Sequence, residues 1–97
     1  MQLTTQQTMS SFELFKLVNE ARENAGQTKI RVNDFVARIA DELEGENYES
    51  FVVQNSNKTT SKALRLNQDQ CMLIAMRESK MVRRAVLEKL KQMKGNQ

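Results

Sequence analysis

Apolar residues recur at helical spacing in several stretches of this chain and alternate in one more. Leu14, Leu17, Val18, Ala21 and Ala25 fall on one side of a helix, with Phe12 and Phe15 beside them. Ser10 or Ser11 can cap its start, Glu13 complements the positive end of its dipole, and Gly26 ends it. A second pattern begins near Asn33. Phe35, Val36, Ile39, Ala40 and Leu43 share a face predicted to be core, while Asn33, Asp34, Ala37, Arg38 and Asp41 look outward. Gly45 closes it.

Tyr48 to Val53 is β-branched and aromatic with partial alternation, and Ala63 to Leu66 is a shorter matching run. The polar stretch Gln54 to Lys62 between them predicts a hairpin with a long tip. Asn67, followed by Gln70 at the reciprocal position of a capping box, marks the start of the most apolar segment, Cys71 to Met76. The polar quartet Arg77 to Lys80 interrupts it, and Ser79 can cap a last helix running to Met93. There Val82, Ala85, Val86, Leu90 and Met93 gather on one side and Lys80, Arg83, Arg84, Lys91 and Lys94 on the other, with Leu87 among the cations. Such a basic stripe can meet phosphates, an anionic membrane surface, an acidic partner or only water.

The predicted fold class is α+β, mostly helical, in the order helix, helix, β-hairpin, helix, helix. Residues 1–9, rich in Gln and Thr, read as a flexible tail, 10–94 as a single domain and 95–97 as a short C-terminal tail. With 97 residues, the chain can build one modest core. A net charge of +3 is mild, but Asp41 to Glu49 is acidic while Arg77 to Lys94 is basic, so the molecule is electrically polar. With no histidine and one cysteine, the usual nucleophile pairs and transition-metal sites cannot be assembled. The carboxylates lie on predicted exposed faces without a companion nucleophile, so neither an enzyme nor a cofactor is expected. Cys71 reads as a buried thiol rather than a reactive one. The chain has no apolar stretch near the roughly 18 residues that span a bilayer and no apolar leader, which predicts a cytoplasmic protein without a membrane partner.

Two helices joined by a short turn containing glycine have the form of a helix-turn-helix, whose second helix can enter a DNA major groove by its N-terminal end. A following hairpin makes it winged. Three runs carry a family likeness: Ile30-Arg-Val-Asn-Asp-Phe-Val-Ala-Arg-Ile, Tyr48-Glu-Ser-Phe-Val-Val-Gln-Asn and, most specifically, Asp69-Gln-Cys-Met-Leu-Ile-Ala-Met-Arg-Glu-Ser-Lys-Met-Val-Arg-Arg-Ala-Val-Leu. They resemble the phage regulatory protein Rha family and the N-terminal domains of related phage antirepressors, over Ser10 to Met93. The resemblance implies a prophage-type transcriptional regulator with a DNA-binding module. In that pattern a basic or His-containing segment precedes the second helix, and here Lys29 and Arg31 occupy it. Many such proteins carry a further C-terminal domain associated with antirepression, which is not expected within this length.

Double-stranded DNA is therefore the expected partner. Asn33 is the candidate for a bidentate adenine contact, Arg31 for guanine or phosphate, and Lys29 and Arg38 for phosphate beside them. Asp34 and Asp41 would be repelled by phosphates, which restricts entry to the first turn of the helix. From the hairpin, Lys58 and Lys62 would clamp the backbone, and the amides of Asn55 and Asn57 can pair with phosphate or base edges. Lys80, Arg83 and Arg84 could add phosphate contacts or remain solvated. Six to ten such contacts in an assembly would lower affinity by about 10³–10⁵ between about 50 and 200 mM salt. A homodimer reading two half-sites is a further expectation, with the last helix or Leu87 as its contact. The rival expectation is an antirepressor-like module that binds another phage or host regulator without touching DNA.

Overall fold

Strand pairing begins earlier than the polar composition of the N-terminus suggests. The structure, a computed structural model, describes residues 8–95. It consists of β1 (Thr8–Ser10), α1 (Ser11–Asn24), α2 (Val32–Glu42), β2 (Glu49–Gln54), β3 (Thr60–Asn67), α3 (Gln68–Ala75) and α4 (Lys80–Gly95). The helical and strand elements confirm the α+β class. Thr8 and Met9, expected in a loose tail, instead pair with Asn67 and Leu66, and Met9 is buried. One apolar residue among Gln and Thr leaves no periodicity to read, yet it suffices to cover an edge of β3. The rest of the expected tail, residues 1–7, lies outside the described residues, as do residues 96 and 97.

The three-stranded antiparallel sheet has the order β1-β3-β2. Its strands are longer than predicted, because Thr60, Ser61 and Lys62 pair with Gln54, Val53 and Val52 and shorten the tip to five residues, Asn55 to Thr59. Cross-strand partners share a face, as do residues two apart. Met9 with Leu66, Ser50 with Leu64 and Val52 with Lys62 therefore form one continuous surface, which is core at Leu66 and Leu64 and solvent at Lys62 and Val52.

Two of the expected N-terminal caps form as capping boxes. Ser10 Oγ accepts from the Glu13 N–H while Glu13 accepts from the Ser10 N–H, and Asn67 with Gln70 does the same for α3. Such caps hold a helix start by about 1 kcal/mol. Ser11, the next residue, is buried and its hydroxyl accepts from the Leu64 N–H at 3.0 Å, joining α1 to the central strand. Leu14 and Val18 of α1, Phe35, Ile39 and Leu43 of α2, Ile74 of α3 and Val82, Val86 and Leu90 of α4 meet in one core. Phe15 and Phe35 join α1 to α2, their rings 5.5 Å apart and tilted. Leu87 packs against this core, so it is not the free apolar contact expected for a dimer.

The second helix is rotated from its predicted orientation. Phe35, Ile39 and Leu43 point inward as expected, but Val36 is 37% exposed and Ala40 is also open to solvent, while Arg38 turns partly inward. Spacing alone allows either rotation, because three apolar residues at i, i+4 and i+8 satisfy the core and leave the flanking positions undecided. No described helix is long and apolar enough to cross a membrane.

Cys71 is buried in α3, and its burial, with the nearby Glu13 charge adding, pushes the thiol from 9.0 up to about 12. Above pH 9.0 the unfolded chain ionises its thiol and the folded chain does not, so stability falls as pH rises through that window. At about pH 10.5 the parent should have lost about 2 kcal/mol relative to its value near pH 8 that Cys71→Ala does not lose. Urea unfolding of both proteins at the two pH values measures the difference. Parallel pH curves would show the thiol to be ordinary.

Candidate nucleic-acid interface

The entry to α2 is fixed by a side chain from α1. Buried Asn19 donates from Nδ2 to the Ile30 carbonyl at 3.0 Å and accepts the Ile30 N–H at 2.7 Å, satisfying both main-chain groups of the residue before Arg31. Gly26, at φ +76, supplies the left-handed turn that ends α1 and sends the link toward Ile30. Arg31 is then the exposed N-terminal flanking residue of α2, with no side-chain cap.

Two ion-pair clusters hold the far half of α2. The carboxylate of Glu78, whose side chain is 0% exposed, accepts from Arg22 Nε of α1 at 2.8 Å and is paired with Arg38 of α2. Arg22 also donates to the Thr28 carbonyl in the link. Arg77 bonds Asp41 at 2.9 Å and Glu42 at 3.3 Å, and the Asp41 hydrogen bond, foremost, holds its guanidinium above the ordinary range. Arg38 is therefore a strut between α2 and the turn before α4. The expectation that it contacts phosphate from an outward face is corrected, since its guanidinium is committed to a buried carboxylate.

Between α2 and the hairpin runs an open groove. One recess of about 330 Å³ is lined by Phe12, Val32, Asn33, Val36, Ser61 and Lys62. A second, of about 220 Å³, is lined by Val36, Ala40, Tyr48, Ser50, Lys62 and Leu64. Val36 and Lys62 line both, so the two recesses adjoin along the helix. Asn33 in the first turn of α2 and Lys62 on the hairpin thus border the same space, with Arg31 one residue before Val32.

The hairpin tip uses its amides internally. Asn55 Nδ2 donates to Thr59 Oγ1 at 3.0 Å and to Ser61 Oγ at 2.9 Å, while Asn57 Oδ1 accepts from the hydroxyl and N–H of Thr59. These bonds shape the turn, in which Lys58 adopts φ 71. The amide nitrogen of Asn55 is thus engaged within the turn rather than offered to a phosphate, and the carbonyl oxygen of Asn57 is engaged there too. The exposed Arg31, Lys58 and Lys62 form no salt bridge among the described residues. Lys29 instead lies on a separate recess with Phe15, Asn19 and Glu20, 3.7 Å from Glu23, in an exposed pair that contributes little.

Lys80, Arg83 and Arg84 ride on α4, whose packing partners are α1 and α3. No residue of α4 lines either recess of the groove. Asn19, Glu78 and the apolar lining Val32 and Tyr48 were not anticipated as parts of the site. Asn19 and Glu78 act through partners far away in the chain, which leaves no local spacing to detect.

Among curated proteins, Antirepressor protein 1 of Escherichia phage P1 is 36% identical to this chain over 91 residues, covering 92% of the chain and 28% of that protein. The chain is similar to a phage antirepressor. It spans about 28% of the length of this curated relative. Because the similarity takes in 92% of the chain, α2 and the hairpin both fall within the region resembling the antirepressor. The finding supports a phage regulatory relationship, the second of the two likenesses drawn from its motifs. No protein-family model and no solved structure matches the chain.

Proposed function

We propose that this chain is the DNA-binding module of a prophage-type transcriptional regulator of Rha type, acting in the cytoplasm on double-stranded DNA through α2 and the hairpin. The observation that carries the reading is the common groove bordered by Asn33 of α2 and Lys62 of β3. Support comes also from the element order, in which a strand precedes the helix pair and its hairpin follows with β3 central, as in winged helix-turn-helix domains. Arg31 and Asn33 lead into the major groove, and Lys58 and Lys62 take phosphates beside it. Asp34 is repelled by phosphates while Asp41 is paired with Arg77, so α2 enters by its N-terminal half, Val32 to Val36.

With Arg38 tied to Glu78 and no α4 residue lining the groove, each module offers about three phosphate contacts, from Arg31, Lys58 and Lys62. At a slope of about −0.9 per contact, raising salt from about 50 to 200 mM should weaken binding by about 40-fold for one module. Two modules on adjacent half-sites double the contacts and give about 10³-fold, so the salt slope also reads the stoichiometry. Selection of duplexes from a random pool, followed by titration at both salt concentrations, tests this. An Arg31→Ala/Asn33→Ala variant should lose sequence discrimination. A flat salt response, or a double variant that binds like its parent, would defeat the reading.

A second reading is favoured by the exposed apolar residues Val32, Val36 and Tyr48 and by the similarity to an antirepressor. On it, the groove receives another regulator protein. Capture of that regulator would survive the Arg31→Ala/Asn33→Ala change, whereas DNA binding would not.

A further inference from the structure

The face that α2 turns to the groove is chemically unusual for a DNA-reading helix. The one guanidinium within α2, Arg38, is drawn into the body by Glu78. What remains along the groove is Val32, Val36 and Ala40 at i, i+4 and i+8, with Asn33 beside the first of them. Val32 is 40% and Val36 37% exposed, so each presents methyl groups to whatever fills the groove. In the major groove, thymine is the base that displays a methyl group, and small apolar side chains are its ordinary partners. The four-residue step from Val32 to Val36 advances about 6 Å along the helix, close to two base-pair steps of about 3.4 Å.

Resting on the DNA-binding reading, we propose that α2 selects thymine C5-methyl groups, with Val36, and Val32 one turn before it, seated on thymines about two base pairs apart and Asn33 pairing with an adenine between or beside them. The substrate class is a duplex whose major groove carries an A·T element, read by methyl contact more than by charged hydrogen bonds. Lys62 lines the groove and Arg31 directly precedes Val32, both exposed and without a carboxylate partner among the described residues, which suits phosphates beside the strip. The strip itself is methyl-sized. The larger side chains of the groove, Phe12 and Tyr48, come from outside α2, so the helix face itself presents only methyl-sized contacts.

The test uses deoxyuridine, which differs from thymidine by that methyl alone. In a duplex selected by the full chain, each thymine is replaced singly and affinity is measured near 50 mM salt. One or two replacements should weaken binding about 4-fold each, the scale of one lost methyl contact. In Val36→Ala, an exposed change that leaves the core intact, one of these losses should vanish while the others persist. Binding that is indifferent to every deoxyuridine, or losses unchanged in both Val36→Ala and Val32→Ala, overturns the methyl contact and leaves the DNA-binding reading standing. Failure to retain any duplex overturns both and leaves the strip to a protein partner.

Discussion

Replacing Glu78 with alanine is expected to destabilise the domain by about 3 kcal/mol, measured by urea unfolding at neutral pH. The carboxylate is fully buried and joins three parts of the chain: Arg22 of α1, Arg38 of α2 and the turn between α3 and α4. Removing one member of a buried ionic cluster typically costs about 3–5 kcal/mol, because the partners are left charged and unpaired. Here the guanidiniums of Arg22 and Arg38 retain 20% and 23% of their exposure, so they can turn partly toward water and the loss belongs at the low end.

Glu78→Gln should fall between parent and alanine, since an amide oxygen still accepts from one arginine. Replacing Arg22, Arg38 and Glu78 together by methionine should be nearly neutral, because apolar packing removes desolvation cost and attraction at once. A loss below about 1 kcal/mol for Glu78→Ala would mean that the cluster is incidental. If the triple variant is stable yet binds DNA poorly, the cluster serves to orient α2 rather than to hold the fold.

That distinction bears on what could be read from the sequence. Capping residues were legible because their chemistry is local: Ser10 with Glu13, and Asn67 with Gln70, act within one helical turn. The element order was legible for a similar reason, as helical and alternating periods change wherever the structure does. Strand β1 was not, because its stability comes from Leu66 and Asn67, more than fifty residues away.

The rotation of α2 was half legible. Phe35, Ile39 and Leu43 declare a core face, but whether Val36 or Arg38 flanks it inward depends on Glu78, a residue that reads as part of a solvated polar quartet. A buried carboxylate with two arginine partners turned the helix, exposing valines and withdrawing an arginine. The same cause reshaped the candidate site, from a cationic helix face into an apolar strip with cations at its margins. Of the residues expected to read DNA, Asn33 and Lys62 line one recess, while Asn55 uses its amide nitrogen within the hairpin turn.

Asn19→Leu should remove about 3 kcal/mol and disturb the groove from a distance of one helix. The substitution keeps the branched four-atom skeleton, with bulkier methyl ends, and loses both bonds to Ile30, whose N–H and carbonyl then lie buried without partners. Each such group costs about 1–3 kcal/mol, and the added apolar contact of leucine offsets only part of that. Asn19→Asp is not a rescue, because an ionised carboxylate accepts the Ile30 N–H but faces the Ile30 carbonyl with no proton to give. Hydrogen exchange locates the effect. The Ile30 amide should be protected in the parent and exchange freely in Asn19→Leu, while amides of β3 slow in both.

A stability loss below about 1 kcal/mol with Ile30 still protected would show that water or a neighbouring group replaces the clamp. Otherwise the consequence reaches function, since Ile30 immediately precedes Arg31 and sets the direction in which α2 leaves the link. Duplex affinity should then drop further than the unfolded fraction alone accounts for. On the DNA-binding reading, α2 enters the groove by its N-terminal half, and its aim depends on Ile30 being held on both sides of its peptide plane.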